Sequence, residues 1–156
     1  MNVLKGFEKP WAKRVSAFVK STLKCGSFKL GDAYQCASEV VKLPSPPTAV
    51  FSLNYEMTLG LMRGLTESGV ECPAQVSVLG FDDFVVGIDG FSWATVFSPK
   101  LTTVAQFSYE LGRKAMQLLL KKIERAGNET EESEGETVRL PAELRIREST
   151  ASPAST

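Results

Sequence analysis

Apolar positions in this chain switch between a helical period and short continuous runs. Trp11, Val15, Phe18, Val19 and Leu23 follow Pro10 at helical spacing. A proline in a first turn gives up no needed N–H, so the pattern predicts a helix over about 10–23. Gly26 and Gly31 bracket a loop holding Phe28 and Leu30. Asp32 is placed to cap a second helix, with Ala33, Cys36, Ala37, Val40 and Val41 on one side. Leu43-Pro44-Ser45-Pro46-Pro47 ends it, because a residue before proline avoids the helical region. Thr48 to Leu53 is nearly continuous apolar sequence, which predicts a strand covered on both faces. Asn54 caps a third helix carrying Met57, Leu61 and Leu65, and Gly69 closes it in the left-handed conformation. Val76 to Phe81 predicts the next buried strand.

This alternation of helix and strand with short connections predicts an α/β fold with a parallel sheet. From Asp82 to Pro99 the pattern loosens, with breaks at Gly87 and Gly90. Trp93, Val96 and Phe97 read as a short strand or a packed loop. Phe91, Trp93 and Phe97 are either an aromatic ligand platform or loop-anchoring core. Leu101 to Val104 is extended, and a long helix follows over about 106–126. Glu129 to Glu136 is a solvated loop by composition. Val138 to Pro141 and Glu143 to Arg147 read as two strand-like runs. The tail from Ser149 to Thr156 is rich in Ser, Thr, Ala and Pro, which predicts disorder, with 151–156 set apart as the tail proper.

Composition narrows the chemistry. At 156 residues, with 43% apolar and 23% charged residues, the chain is one domain's worth and holds enough apolar sequence for a core. Formal net charge is zero and no Lys/Arg stripe survives periodicity, so nothing points to nucleic acid. Lys20, Lys24 and Lys29 read as solvated surface. No run approaches the ~18 apolar residues of a membrane span, and no signal-peptide core follows Met1. A cytoplasmic protein is the expectation. Cys25, Cys36 and Cys72 fit no zinc spacing, and the chain has no histidine. That removes Ser-His and Cys-His nucleophile pairs and histidine metal sites. No phosphate loop or nucleophile elbow is present. The expectation is a non-enzyme without catalytic residues, metal or cofactor.

The most informative segment is Pro73-Ala74-Gln75-Val76-Ser77-Val78-Leu79-Gly80-Phe81-Asp82-Asp83. It reads as a turn, a buried strand and two carboxylates at the strand's end. Carboxyl ends of strands in an open parallel sheet face the ligand crevice. Other pieces occur in a telling order: Pro47 to Phe51, Asn54, Leu59-Gly60-Leu61, Glu67-Ser68-Gly69, Leu101 to Val104, Leu111-Gly112, and Leu140 to Thr150. Together, over about 31–150, they resemble the effector-binding core of the LacI/GalR family of bacterial transcription regulators. The resemblance implies a periplasmic-binding-protein-like (type I) fold, with two α/β lobes, a sugar-type ligand between them and a helix-turn-helix domain in front. This chain has about half that length and resembles the C-terminal half, a truncated form of the fold. Crossings between lobes are expected near Ser98–Thr103 and Leu140–Glu143. The 106–126 helix would then belong to the other lobe, so it should fold back, pack on another copy or be poorly ordered.

The resemblance also implies site residues. Asp82 matches the family aspartate that accepts hydrogen bonds from ligand hydroxyls, while Asp83 is read as pointing into the loop. Asn54 matches the family asparagine at the neighbouring strand end, or is purely a helix cap. Tyr55 stands where the family usually has aspartate. Val3 replaces an arginine, and Ala33 replaces a stacking aromatic, with Tyr34 one place on. The candidate ligand-binding residues are therefore Asp82, Asn54, Tyr34 and Ala33. The implied partners are a small-molecule effector, a sugar or sugar derivative, and a second copy of the chain docked through Leu59, Met62 and Leu65. DNA would be reached only through another domain. The alternatives are a solute-binding component of a sugar transport system and a fragment that only dimerises.

Overall fold

A computed structural model describes residues 28–86, 90–126 and 136–152. The expected 10–23 helix, Val3, most of the glutamate-rich run and Lys20, Lys24 and Cys25 lie outside them. Helix α1 spans Leu30–Val40 and is followed by strand β1, Ala49–Phe51. Helix α2, Tyr55–Glu67, leads to strand β2, Ser77–Phe81. A small hairpin pairs β3, Val85–Val86, with β4, Phe91–Ser92. A 3-10 turn over Trp93–Thr95 precedes β5, Thr102–Ala105. Helix α3, Ser108–Ala126, and strand β6, Glu143–Arg145, complete the order.

The main sheet runs β1-β2-β5-β6. β1, β2 and β5 are parallel, with Val50 opposite Val78 and Gly80 opposite Thr103. β6 returns antiparallel to β5, with Leu144 opposite Val104. The α/β fold with a mainly parallel sheet agrees with the sequence. Coverage of both strand faces does not. Val78 and Gly80 are buried while Ser77, Leu79 and Phe81 are half-buried, an alternation that marks one better-covered face.

The core joins Ala37 of α1 and Leu61, Met62 and Leu65 of α2 to Val76, Val78, Trp93, Ala94 and Leu101. The two helices approach closely because α2 presents glycine to α1. A Cβ on Gly60 would lie 2.1 Å from the Leu30 carbonyl oxygen, and one on Gly64 would lie 2.6 Å from the Ala37 Cβ. This packing corrects the expected docking face. Met62 and Leu65 are buried inside the lobe, and Leu59 packs against the same core.

Other boundaries move for local reasons. Helix α1 starts two residues before Asp32, after an extended Lys29, and Asp32 sits in its first turn facing the helix's positive end. Val138 to Pro141 forms no strand, so the two expected runs reduce to β6. Ser149 to Ala151 are not a loose tail. The Val78 N–H donates to the Ser149 carbonyl at 2.8 Å, and the Ala151 N–H donates to Ser77 Oγ at 3.0 Å. Ser149 Oγ is buried, donating to the Val78 carbonyl at 2.6 Å and accepting from the Thr102 N–H at 2.8 Å. Polar composition there serves β2 and β5 rather than solvent.

Helix α3 is a regular helix with an uncovered apolar face. Tyr109, Leu111, Met116, Leu119, Leu120 and Ile123 are each at least half exposed. The helix therefore does not fold back onto the lobe. No described helix is long and apolar enough to cross a membrane.

Candidate functional site

Three parallel strands end side by side, and each hands a polar residue to the same end of the sheet. Asp82 follows β2 directly, Gln106 follows β5 directly, and Asn54 lies just beyond β1. This is the end at which open α/β sheets take ligands.

Asp82 leaves the strand with φ at +71°, in the left-handed region. Its N–H donates to the Val104 carbonyl at 3.0 Å, and its carbonyl accepts from Trp93 Nε1 at 2.7 Å. Its Oδ1 accepts from Gln106 Nε2 at 2.5 Å in an exposed hydrogen bond. Asn54 is the N-cap of α2, with Oδ1 accepting from the Met57 N–H at 2.7 Å. Its Nδ2 donates to the Phe28 carbonyl at 3.2 Å. The asparagine thus caps the helix and ties the chain before α1 to the sheet's end. The exposed Phe28, itself at φ +61°, is brought alongside it.

Ala33 and Tyr34 do not join this group. Ala33 is buried where α1 meets Gly60 of α2. Tyr34 points along the outer helix surface, its hydroxyl donating to Glu67 Oε2 at 2.6 Å, with the Arg63 guanidinium 5.1 Å above its ring. Glu67 is the last residue of α2 and Asn54 its N-cap, which puts that contact about 20 Å along the helix from the strand ends. The hydrogen bond to Glu67 holds the Tyr34 phenol above its ordinary pKa. The bonds from Tyr34 and Arg63 hold Glu67 below its own.

Asp83 is the main residue that sequence reasoning misplaced. It does not point into the loop; its side chain is fully buried. Its carboxylate accepts from Ser92 Oγ, from Thr103 Oγ1 at 2.8 Å and from Arg147 Nη2 at 2.6 Å, with Arg145 Nη1 at 3.4 Å. Arg147 is itself pinned by the Leu101 carbonyl at 2.6 Å and by Thr103 Oγ1 at 2.8 Å. Burial alone would raise the Asp83 carboxyl, but the bonds from Ser92, Arg147 and Thr103 and the Arg147 charge outweigh it. The group is held below its ordinary value. Among the described residues, no buried side-chain polar atom lacks a partner. A signal for this cluster did exist in the sequence. Period-two alternation in Glu143-Leu144-Arg145-Ile146-Arg147 puts both arginines on one face of the strand.

The loosely patterned region after Asp83 is partly core. Trp93 is buried and meets Phe97 edge-on at 6.0 Å, with Phe84 and Tyr55 at 6.2 and 6.3 Å. Phe91 and Val85 of the hairpin are exposed. No group of three or more Cys, Asp or Glu side chains is placed to hold a metal among the described residues.

The periplasmic binding protein-like domain model matches residues 2–150. The HTH-type transcriptional repressor PurR of Histophilus somni (strain 129Pt) is 33% identical over 144 residues, covering 92% of this chain and 40% of that protein. PurR of Mannheimia succiniciproducens is 35% identical over 124 residues, covering 80% of this chain and 34% of that protein. Among solved structures, a LacI family transcriptional regulator from Enterococcus faecium with bound ribose superposes with a TM-score of 0.62 at 38% identity. It covers 80% of this chain and 41% of that one. The dimeric Lac repressor with an 11-residue C-terminal deletion gives a TM-score of 0.64 at 28% identity, with 80% and 41% covered. The chain spans about 40% or less of the length of these relatives. It belongs to the periplasmic binding protein-like domain family, as an effector-binding portion of the LacI type.

Proposed function

We propose that this chain is the ligand-sensing part of a LacI-type transcription regulator, and that it takes a sugar or sugar derivative at the carboxyl ends of its parallel strands. The observation that carries this reading is the Asp82 carboxylate, held at the end of β2 by a left-handed backbone and, among the described residues, bonded only through an exposed contact to Gln106. A carboxylate in that setting accepts two hydroxyl hydrogen bonds from a polyol with little loss of existing structure. The ribose-bound Enterococcus faecium relative supports sugar chemistry. In the full protein the effector would close a hinge and shift the population of dimer geometries, with DNA reached through another domain. Dimerisation and a cytoplasmic location belong to the same proposal. With PurR and LacI-type regulators as relatives, a binding role is favoured over catalysis.

Titration calorimetry with D-ribose tests the reading. The expected result is saturable heat for the parent chain and none for Asp82→Ala. Equal binding by the two chains would refute the assignment of Asp82.

A further inference from the structure

The geometry points to Asp83 as the positioning residue of the effector site: its buried carboxylate network fixes the left-handed backbone at Asp82 and so aims the Asp82 side chain. The inference rests on reading Asp82 as the effector-facing residue.

A backbone at φ +71° crowds the Cβ of any residue but glycine, and aspartate, though it tolerates this better than most, still holds it at a cost that outside contacts must offset. Both peptide planes that flank the Asp82 Cα are fixed from outside. The preceding plane is held by the Asp82 N–H bond to the Val104 carbonyl. The following plane is held at one end by the Trp93 indole on the Asp82 carbonyl and at the other by the Asp83 N–H on the Val104 carbonyl at 3.4 Å, and the Asp83 side chain anchors the Cα beyond it. That side chain is gripped by three parts of the chain: Ser92 of β4, Thr103 of β5 and Arg147 beyond β6. With both planes fixed, the direction of the Asp82 Cβ is fixed too, and the carboxylate meets Gln106.

The two grips are also linked. Ser92 Oγ donates to Asp83 and accepts the Ala94 N–H at 3.3 Å, capping the turn that carries Trp93. Loss of the Asp83 charge would loosen Ser92 and leave Arg147 facing a neutral group. Residues 82 and 83 would then be free to relax toward the extended backbone of β2. Extended residues alternate sides, so the Asp82 carboxylate would swing away from Gln106.

The test uses the 15N-labelled whole chain. The Gln106 side-chain amide resonances are assigned by their loss in Gln106→Ala, and Asp82→Ala gives their position without the Asp82 bond. In Asp83→Asn they are expected to move to that unbonded position while the fold still melts cooperatively. D-ribose binding by equilibrium dialysis is expected to weaken about 10- to 100-fold, the worth of one hydrogen bond to a charged group. A folded Asp83→Asn chain with parental Gln106 resonances would overturn the inference. If that variant does not fold, Thr103→Val keeps the side-chain shape and removes one donor to the Asp83 carboxylate. It meets the same criterion. A parent chain that ignores ribose refutes the ribose reading instead, and the Gln106 resonances still decide the role of Asp83.

Discussion

Gly60→Ala isolates the contact that sets the position of α1. The added Cβ would lie 2.1 Å from the Leu30 carbonyl oxygen, 3.0 Å from its carbonyl carbon and 3.1 Å from the Ala33 Cβ. A comfortable carbon–oxygen approach is about 3.3 Å, so α1 must retreat by about 1.2 Å. The obstacle is helix backbone, and no rotamer change relieves it. Overpacking of this kind costs about 1–3 kcal/mol, here at the upper end, and the better helix propensity of alanine returns about 1 kcal/mol. The expected net loss is about 2 kcal/mol, or a fall in Tm of about 6 °C for a chain of this size. Gly31→Ala is the control. It lies in α1 with nothing within 4 Å of the added Cβ, so only the propensity gain applies. Thermal unfolding followed by circular dichroism compares the three chains. If Gly60→Ala melts within about 1 °C of the parent, or rises as Gly31→Ala does, the close approach of α1 and α2 is refuted.

Further outcomes follow from the buried polar groups. The Asp83 carboxyl is held below its ordinary value, so its contribution to stability is complete above the unfolded value of about 3.9 and is lost as pH falls through the folded one. Tm measured from pH 7 to pH 3 should therefore drop less steeply in Asp83→Asn than in the parent, from a lower start at pH 7. Ser149→Ala leaves the Thr102 N–H and the Val78 carbonyl short of a partner in a buried setting, with an expected loss of about 1–3 kcal/mol in urea unfolding. A loss below about 0.5 kcal/mol would return Ser149 to the loose tail first expected there. Asp82→Gly should be more stable than Asp82→Ala by about 1–2 kcal/mol, because only glycine accepts φ +71° without crowding. Equal stability would mean that residue 82 is not left-handed in solution.

The fold was legible where burial follows a period. Met57, Leu61 and Leu65 repeat at helical spacing, and the caps at Asn54 and Gly69 fall where expected, with Gly69 at φ +70°. The strand before Asp82 was legible because it is short, apolar and bounded by turns. What was not legible depends on contacts distant in sequence. Nothing local tells that Met62 faces inward toward α1 and the sheet rather than a second copy. That follows from Gly60 and Gly64 drawing α1 close. Ser149 reads as tail by composition, yet its hydroxyl spans β2 and β5 across 71 and 47 residues of sequence. In the site, Asp82 was visible through its place at a strand end. Gln106 was not, because a glutamine between a strand and a helix carries no signal until β5 is known to lie beside β2.

The adjacent aspartates at the end of β2 show why equal charges in sequence become unequal groups in space. A strand alternates its faces, so two successive residues at its end do not share one environment. Here the left-handed turn at Asp82 sets which way each of the two carboxylates points. Asp83 turns into the protein, where an unpaired carboxylate would be costly, and finds two arginines and two hydroxyls. Asp82 turns outward, with one exposed bond to a flexible glutamine. The arginines that make the inner position tolerable come from Leu144-Arg145-Ile146-Arg147, at the far end of the chain, and their apolar neighbours Leu144 and Ile146 stay exposed. The direction of the Asp82 carboxylate then depends on the pairing of β6 with β5, so the segment that closes the lobe also sets the geometry of its candidate site.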